Sequence, residues 1–431
     1  MVASQVDGVT RRELLKKAAA VAAGATAGSA LWGKTVYVSK AAARTITVGV
    51  GGWAVDAMNQ IVRDMGFTRD TGIQVSIQVR PGAPPEFISQ MASAVNAGTS
   101  PYDVVDIEDE AAITLSRLGW LEPLDGLLAS DFWEDFSPDM LAMVEVWHRY
   151  RGETFRIPHN YEAQYFWYRK DWFDREGLRP PETWAEMVEA GKRFTRGDVW
   201  GVSDGLAKGA YLNVFVGYLT LQAGGNIYEF GEPARVALTF LYDMIYTHRI
   251  FPIGALNKDY DALNVDYMND RVAMMRQWPY FWDVSRGNEA WWREEKTAIS
   301  LPPAGPRGNA RTYAAAWGWV IPRTAPNKDA AREFVRWIVA KENAPRLAAI
   351  STWFLSARKS VLDAVGDQGI APYLRQYSEA GAIGTRPFHP RYFEAVSVVE
   401  DLVSAYLTNQ MSLDDVIRNG RDRIARLGGM G

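Results

Sequence analysis

Gly201-Val202-Ser203-Asp204-Gly205 has the G-x-S-x-G spacing that α/β hydrolases use to set a serine hydroxyl on a tight strand-to-helix turn. That chemistry needs a histidine to take the serine proton and a carboxylate to orient the histidine. The chain has four histidines, His148, His159, His248 and His389, and only the last two follow the serine in the usual order. Neither lies in a recognisable motif, and no oxyanion-loop pattern precedes the serine. An exported hydrolase using Ser203 is therefore an alternative, and a Gly/Ser/Asp turn the plain reading. Metal chemistry has less support, because the histidines are scattered, H-E-x-x-H is missing and there is no cysteine. Gly49-Val50-Gly51-Gly52-Trp53-Ala54 opens like a dinucleotide loop but has Ala54 where the third glycine belongs. No catalytic residue, metal or cofactor is expected.

What remains is chemistry of binding. Asp106, Glu108, Asp109 and Glu110 follow one predicted strand. Such carboxylates either favour a helix N-terminus through its dipole or face a cleft, where they accept hydrogen bonds from ligand hydroxyls. Aromatic residues are abundant, with 17 Trp and 19 Tyr. Trp167, Trp172, Trp184 and Trp337 sit in strongly patterned segments and are expected in the core. Trp53, Trp278, Tyr280, Trp317 and Trp353 lie beside Gly, Pro or strand ends, where a ring can reach a cleft. Flat aromatic faces stack on sugar rings, or cage a cation.

The elements that must carry these residues alternate. Ile46–Val50 is a β-branched strand, followed by a helix to about Met65. Residues 73–79 alternate with period two, as in a half-buried strand. Pro84-Pro85 opens a helix with Phe87, Met91 and Val95 on one face. Asp103–Ile107 is a third strand, and Glu110–Leu118 a third helix closed by Gly119. This alternation implies a mainly parallel α/β sheet, with ligands beyond the carboxyl ends of its strands. Thr183-Trp184-Ala185-Glu186 has capping-box form, and Trp184, Met187, Val188, Gly191 and Phe194 trace one helical face behind it. Further helices are expected over 211–222, 235–246, 330–339 and 393–407.

The amino terminus reads as an export signal. Thr10-Arg11-Arg12-Glu13-Leu14-Leu15-Lys16-Lys17 precedes an apolar Ala/Gly-rich run, Ala18 to Trp32, and Ala41-Ala42-Ala43 is an A-x-A-like cleavage site. The paired arginines resemble the twin-arginine type. The apolar run is shorter than the ~20 residues a membrane span needs. Without cysteine the chain has no lipid attachment point and no disulfide, so it relies on its core. The net charge is −4 before the basic leader is lost, which argues against nucleic acid as a partner.

Several segments, in order, resemble the extracellular solute-binding proteins of ABC importers, the family that includes the maltodextrin-binding proteins. They are Tyr102-Asp103-Val104-Val105-Asp106 with Leu118-Gly119-Trp120-Leu121-Glu122-Pro123-Leu124, Ile157-Pro158-His159-Asn160-Tyr161-Glu162-Ala163 with Tyr168-Arg169-Lys170-Asp171-Trp172-Phe173, and Pro181-Glu182-Thr183-Trp184. Arg271-Val272-Ala273-Met274-Met275 with Trp278-Pro279-Tyr280, and Ala325-Pro326-Asn327-Lys328, complete the set. The resemblance implies a periplasmic-binding-protein-like α/β fold, with two lobes joined by hinge crossings and a ligand held between them. Its expected division is an export signal over 1–43, one lobe over 44–160 plus about 312–365, and another over 161–311 plus about 366–431. It implies ligand contacts at Glu162, Tyr211, Tyr280, Trp53 and the loop of Glu108, Asp109 and Glu110, with looser matches at Trp317, Trp353 and Tyr392. Two positions depart from the maltodextrin pattern: Val396 replaces a stacking Trp, and Trp278-Pro279-Tyr280 replaces Gly-Pro-Trp. The implied function is capture of a sugar or related polyol by a monomer outside the cytoplasmic membrane, and delivery to the importer's membrane subunits. A receptor for a polyamine or other cationic solute, with Glu108, Asp109 and Glu162 around the cation, is the alternative within the same fold.

Overall fold

The computed structural model describes residues 44–428 except Ala83 and Ala357; the expected export signal lies outside the described residues. In chain order the strands are β1 (Thr45–Val50), β2 (Gln74–Val79), β3 (Val104–Glu108), β4 (Arg149–Tyr150), β5 (Glu153–Thr154), β6 (Ile157–Pro158), β7 (Glu162–Ala163) and β8 (Tyr165–Tyr168). They continue with β9 (Trp200–Ser203), β10 (Val272–Gln277), β11 (Ala298–Ser300), β12 (Thr312–Ala315), β13 (Trp317–Val320) and β14 (Ile383–Thr385).

The β-branched run of β1 buries Ile46, Val48 and Val50 and pairs in parallel with both β2 and β3. Helices Val55–Met65 and Pro84–Asn96 are the crossovers that such parallel pairs require. The alternation expected over residues 73–79 is weak in burial, because β2 is the edge of its sheet and leaves Val79 exposed. Two antiparallel strands, β13 and β6, complete the order β2-β1-β3-β13-β6. A second sheet has the order β11-β8-β10-β9.

A third sheet, β14-β12-β7, is built from the short segments that run between the other two. The chain leaves the first sheet at β6, contributes β7 here, and enters the second sheet at β8. It returns from β11 through β12 to β13. Ala315 faces Glu162 across the antiparallel pair, and Thr312 lies beside Ile383 in the parallel one. These short segments are therefore tied by backbone hydrogen bonds, β7 to β12 and β12 to β14.

Close approach between β13 and β6 in the first sheet depends on Gly318. A Cβ there would lie 2.6 Å from the Ile157 carbonyl oxygen and 2.8 Å from the Arg156 side chain. The helix Trp184–Phe194 starts as expected, with Thr183 accepting from the Glu186 backbone N–H. The Glu186 carboxylate, however, accepts from the N–H of Glu182 rather than that of Thr183, so the reciprocal half of the box is displaced by one residue. Among the described residues, no helix is long and apolar enough to cross a membrane.

Gly318→Ala should cost about 1–3 kcal/mol of stability through overpacking. Urea unfolding of the variant tests this, and an unchanged midpoint would contradict the packing described.

Candidate functional site

The carboxyl end of β3 runs directly into the helix Asp109–Arg117, which places four acidic side chains where the first sheet meets the crossings. Asp106 accepts a 2.8 Å hydrogen bond from His159, just after β6. Glu108 pairs with buried Arg80 at 2.7 Å, while its other oxygen has no protein partner. Burial pushes Glu108 up to about 7 despite the opposing Arg80.

Asp109 is 0 % exposed and its oxygens are taken up within the protein. It pairs with Arg156, which precedes β6, and with Arg386, just past β14, at 3.0 Å; it also accepts from the Ala316 N–H between β12 and β13 at 3.3 Å. Arg386 makes a second pair, with Glu110 at 2.6 Å. The side chains expected to face ligand over 108–110 thus do different things: Asp109 and Glu110 brace the crossings, and Glu108 keeps one oxygen spare.

Glu162, on β7, is half-buried; Asn160 Nδ2 donates to it at 3.2 Å, and the Trp317 side chain is a second, neutral donor. Burial first, then the nearby Asp109 and Asp106, push its carboxyl up to about 8. Asn160 also accepts from the Trp317 N–H at 2.6 Å, which ties the link between β6 and β7 to β13.

Trp53, Trp317 and Trp353 come from three separate segments and meet. The Trp53 ring centroid lies 5.3 Å from Trp317 and 5.7 Å from Trp353, and the last two are 5.1 Å apart. Trp53 is 55 % exposed, so this cluster offers an open aromatic face. The Arg80 guanidinium lies over Trp317, and the His159 ring stacks on Trp353. Trp53, Glu108, Glu162, Trp317 and Trp353 therefore form one neighbourhood.

The residues expected from the second half form another. Tyr211 packs edge-on against Tyr260 at 4.7 Å, near Arg276, whose guanidinium is bound by Asp204 at 2.8 and 3.0 Å and by Gln164. Arg276 also lies over the Tyr218 and Tyr260 rings. Trp278 follows β10 directly and is half-buried. Tyr280 is turned to the helix Tyr260–Met268, where its hydroxyl donates to Asp261 and accepts from Asn264. Tyr392 is buried below Arg386, and Val396 is buried in the same helix. Two surface hollows, one lined by Tyr242, Tyr406 and Asn409 and the other by Trp172, Arg193 and Asp270, include none of the expected site residues.

The Ser203 alternative fails on geometry. Ser203 is buried, and its hydroxyl has no hydrogen-bond partner, so no imidazole is placed to take its proton. The glycines of the motif serve packing: a Cβ at Gly201 would meet the Gly191 backbone at 2.3 Å, and one at Gly205 the Asp259 backbone at 2.9 Å. Among the described residues no cluster of His, Cys, Asp and Glu could hold a metal.

Sequence reasoning missed Arg80, Arg156, Arg276, Arg386 and Tyr165. A signal was present, since Phe155-Arg156-Ile157 and Met275-Arg276-Gln277 set an arginine inside an otherwise buried strand region. A buried cation there requires a buried anion.

The family model of the bacterial extracellular solute-binding proteins matches residues 51–345. The chain belongs to this family. It is a solute-binding protein and not an enzyme. This solute-binding protein is 25% identical over 376 residues to the mannitol-binding protein of Pseudomonas aeruginosa, covering 75% of this chain and 80% of the relative. It is 23% identical to the erythritol/L-threitol-binding protein of Mycolicibacterium smegmatis, covering 69% of this chain and 67% of the relative. Among solved structures, maltose-bound T. maritima MalE3 superposes with a TM-score of 0.77 at 23% identity, over 90% of this chain and 100% of that one. The fold is thus the α/β periplasmic-binding-protein fold.

Glu162 links the site to pH. The folded protein holds this proton up to about pH 8, whereas an unfolded glutamate releases it near 4.5. The folded form therefore binds more protons between those limits, and stability falls as pH rises through that window. Glu162→Gln should flatten the decline of Tm between pH 5 and pH 8; identical slopes for variant and parent would contradict the assignment.

Proposed function

We propose that the protein captures a sugar or related polyol between two lobes and delivers it to the membrane subunits of an ABC importer. The observation that carries this reading is the meeting of Trp53, Trp317 and Trp353 beside Glu108 and Glu162. Polyols have apolar C–H faces and hydroxyl edges, which suit an aromatic face next to carboxyl groups. The mannitol- and erythritol/L-threitol-binding relatives agree with this chemistry. The departures from the maltodextrin pattern at Val396 and Trp278-Pro279-Tyr280 favour a ligand other than a maltodextrin.

The lobes are residues 44–160 plus about 312–365, and 161–311 plus about 366–431. This division is supported by the passages from β6 to β8 and from β11 to β13, and by Tyr377, which accepts from Phe166 N–H and donates to Ser300 O in the second sheet. A ligand touching both lobes favours their closure, and closure signals the loaded state to the importer. The protein acts as an unlipidated monomer outside the cytoplasmic membrane, exported by a twin-arginine-type leader and cleaved near Ala43.

A thermal-shift screen should raise Tm with polyols or sugars, and Trp53→Ala should reduce that shift at equal ligand concentration. A response to polyamines alone would overturn the reading. Replacing Arg11 and Arg12 together with lysine should leave the protein inside the cytoplasm; unchanged export in cell fractionation would contradict the twin-arginine assignment.

A further inference from the structure

The neighbourhood of Glu162 holds five carboxyl groups, and four already have a basic partner. Asp106 has His159, Glu108 has Arg80, Asp109 has Arg156 and Arg386, and Glu110 has Arg386. Glu162 has no basic partner: its donors are the neutral Asn160 amide and the Trp317 side chain, while Asp106 and Asp109 face it as like charges. Tyr165, next along the same crossing, is fully buried, and its hydroxyl has no partner in the protein. Burial, then the nearby Glu162, raises this phenol above its ordinary range, so it stays neutral. His148 is neutral as well, because burial and Arg156 push its pKa well below the usual value.

Enclosing Glu162 as an anion under an uncharged ligand would leave a buried charge without compensation, which is strongly unfavourable. A protonated carboxyl avoids this and gains a donor: its O–H reaches a ligand hydroxyl oxygen, and its carbonyl oxygen accepts from a hydroxyl. A cationic solute would instead favour ionised Glu162.

We propose that Glu162 binds the solute as a neutral carboxylic acid, so that capture of an uncharged polyol takes up a proton and cationic solutes are discriminated against. This rests on the polyol reading above. The carboxyl already sits at about 8 without ligand, so most of it is protonated at neutral pH and the linkage appears on the alkaline side.

The test is isothermal titration calorimetry with D-mannitol and erythritol from pH 6.5 to 9.5, in buffers of different ionisation enthalpy. Above about pH 8, Kd should rise about tenfold per pH unit, and the buffer dependence of the enthalpy should report proton uptake. Glu162→Gln has no proton to take up and should lose the pH slope whatever its affinity. Binding of either polyol with no proton exchange and a flat pH profile would overturn this inference while leaving the function standing. If neither polyol binds, the same titration with putrescine separates the cases: binding that tightens with pH and releases a proton would overturn both. No binding of any of the three, with a wild-type Tm slope equal to that of Glu162→Gln, would also overturn the inference.

Discussion

A single enclosed carboxylate, Asp109, sets the terms for the rest of the molecule. A buried anion is tolerated only with cations and N–H donors around it. Here those donors are Arg156 before β6, the Ala316 N–H between β12 and β13, and Arg386 beyond β14. Each comes from a different segment beside the short strands that link the sheets. The carboxylate therefore fixes the crossings relative to one another, and with them Glu162 on β7 and Trp317 on β13. Breaking such a buried pair typically costs about 3–5 kcal/mol, because it strands the remaining charge. The ionic network is best understood as positioning, with the exposed chemistry of binding left to its neighbours.

Those neighbours divide the work between surface types. The three tryptophans form an apolar face against which C–H groups can lie. Around it the polar atoms are partly unspent, since Glu108 Oε1, Tyr165 OH and the Glu162 carboxyl have spare hydrogen-bonding capacity. A site of this kind discriminates by leaving buried polar groups unpaired when the wrong solute enters. The second group, around Arg276, Tyr211, Tyr260 and Trp278, presents the same combination of rings and a paired arginine. Tyr280 is held by its hydroxyl, which is committed to Asp261 and Asn264.

Much of this was legible in the residues. The strands β1 and β3 follow from β-branched runs bounded by glycine and polar residues, and the helix starting at Trp184 follows from its Thr183 cap. Trp53 lies more than 250 residues before Trp317, and Trp353 follows in a third segment, so periodicity had no means of bringing them together; only the family resemblance suggested a common cleft. The roles of Asp109 and Glu110 were hidden because their partners Arg156 and Arg386 are remote in sequence. The G-x-S-x-G match misleads for a physical reason: its glycines answer to backbone contacts with Gly191 and Asp259, a need that produces the same spelling as a catalytic turn. β2 shows the opposite limit, since a period-two pattern states which faces differ but not that the strand lies at a sheet edge.

The central claim is that this cleft is built for an uncharged polyhydroxylated solute. The most direct test is mass spectrometry of the small molecule released on denaturing protein purified gently from its natural host. The account predicts a neutral polyol or sugar at up to one molecule per chain. A diamine, polyamine or other cation bound in that proportion would contradict it.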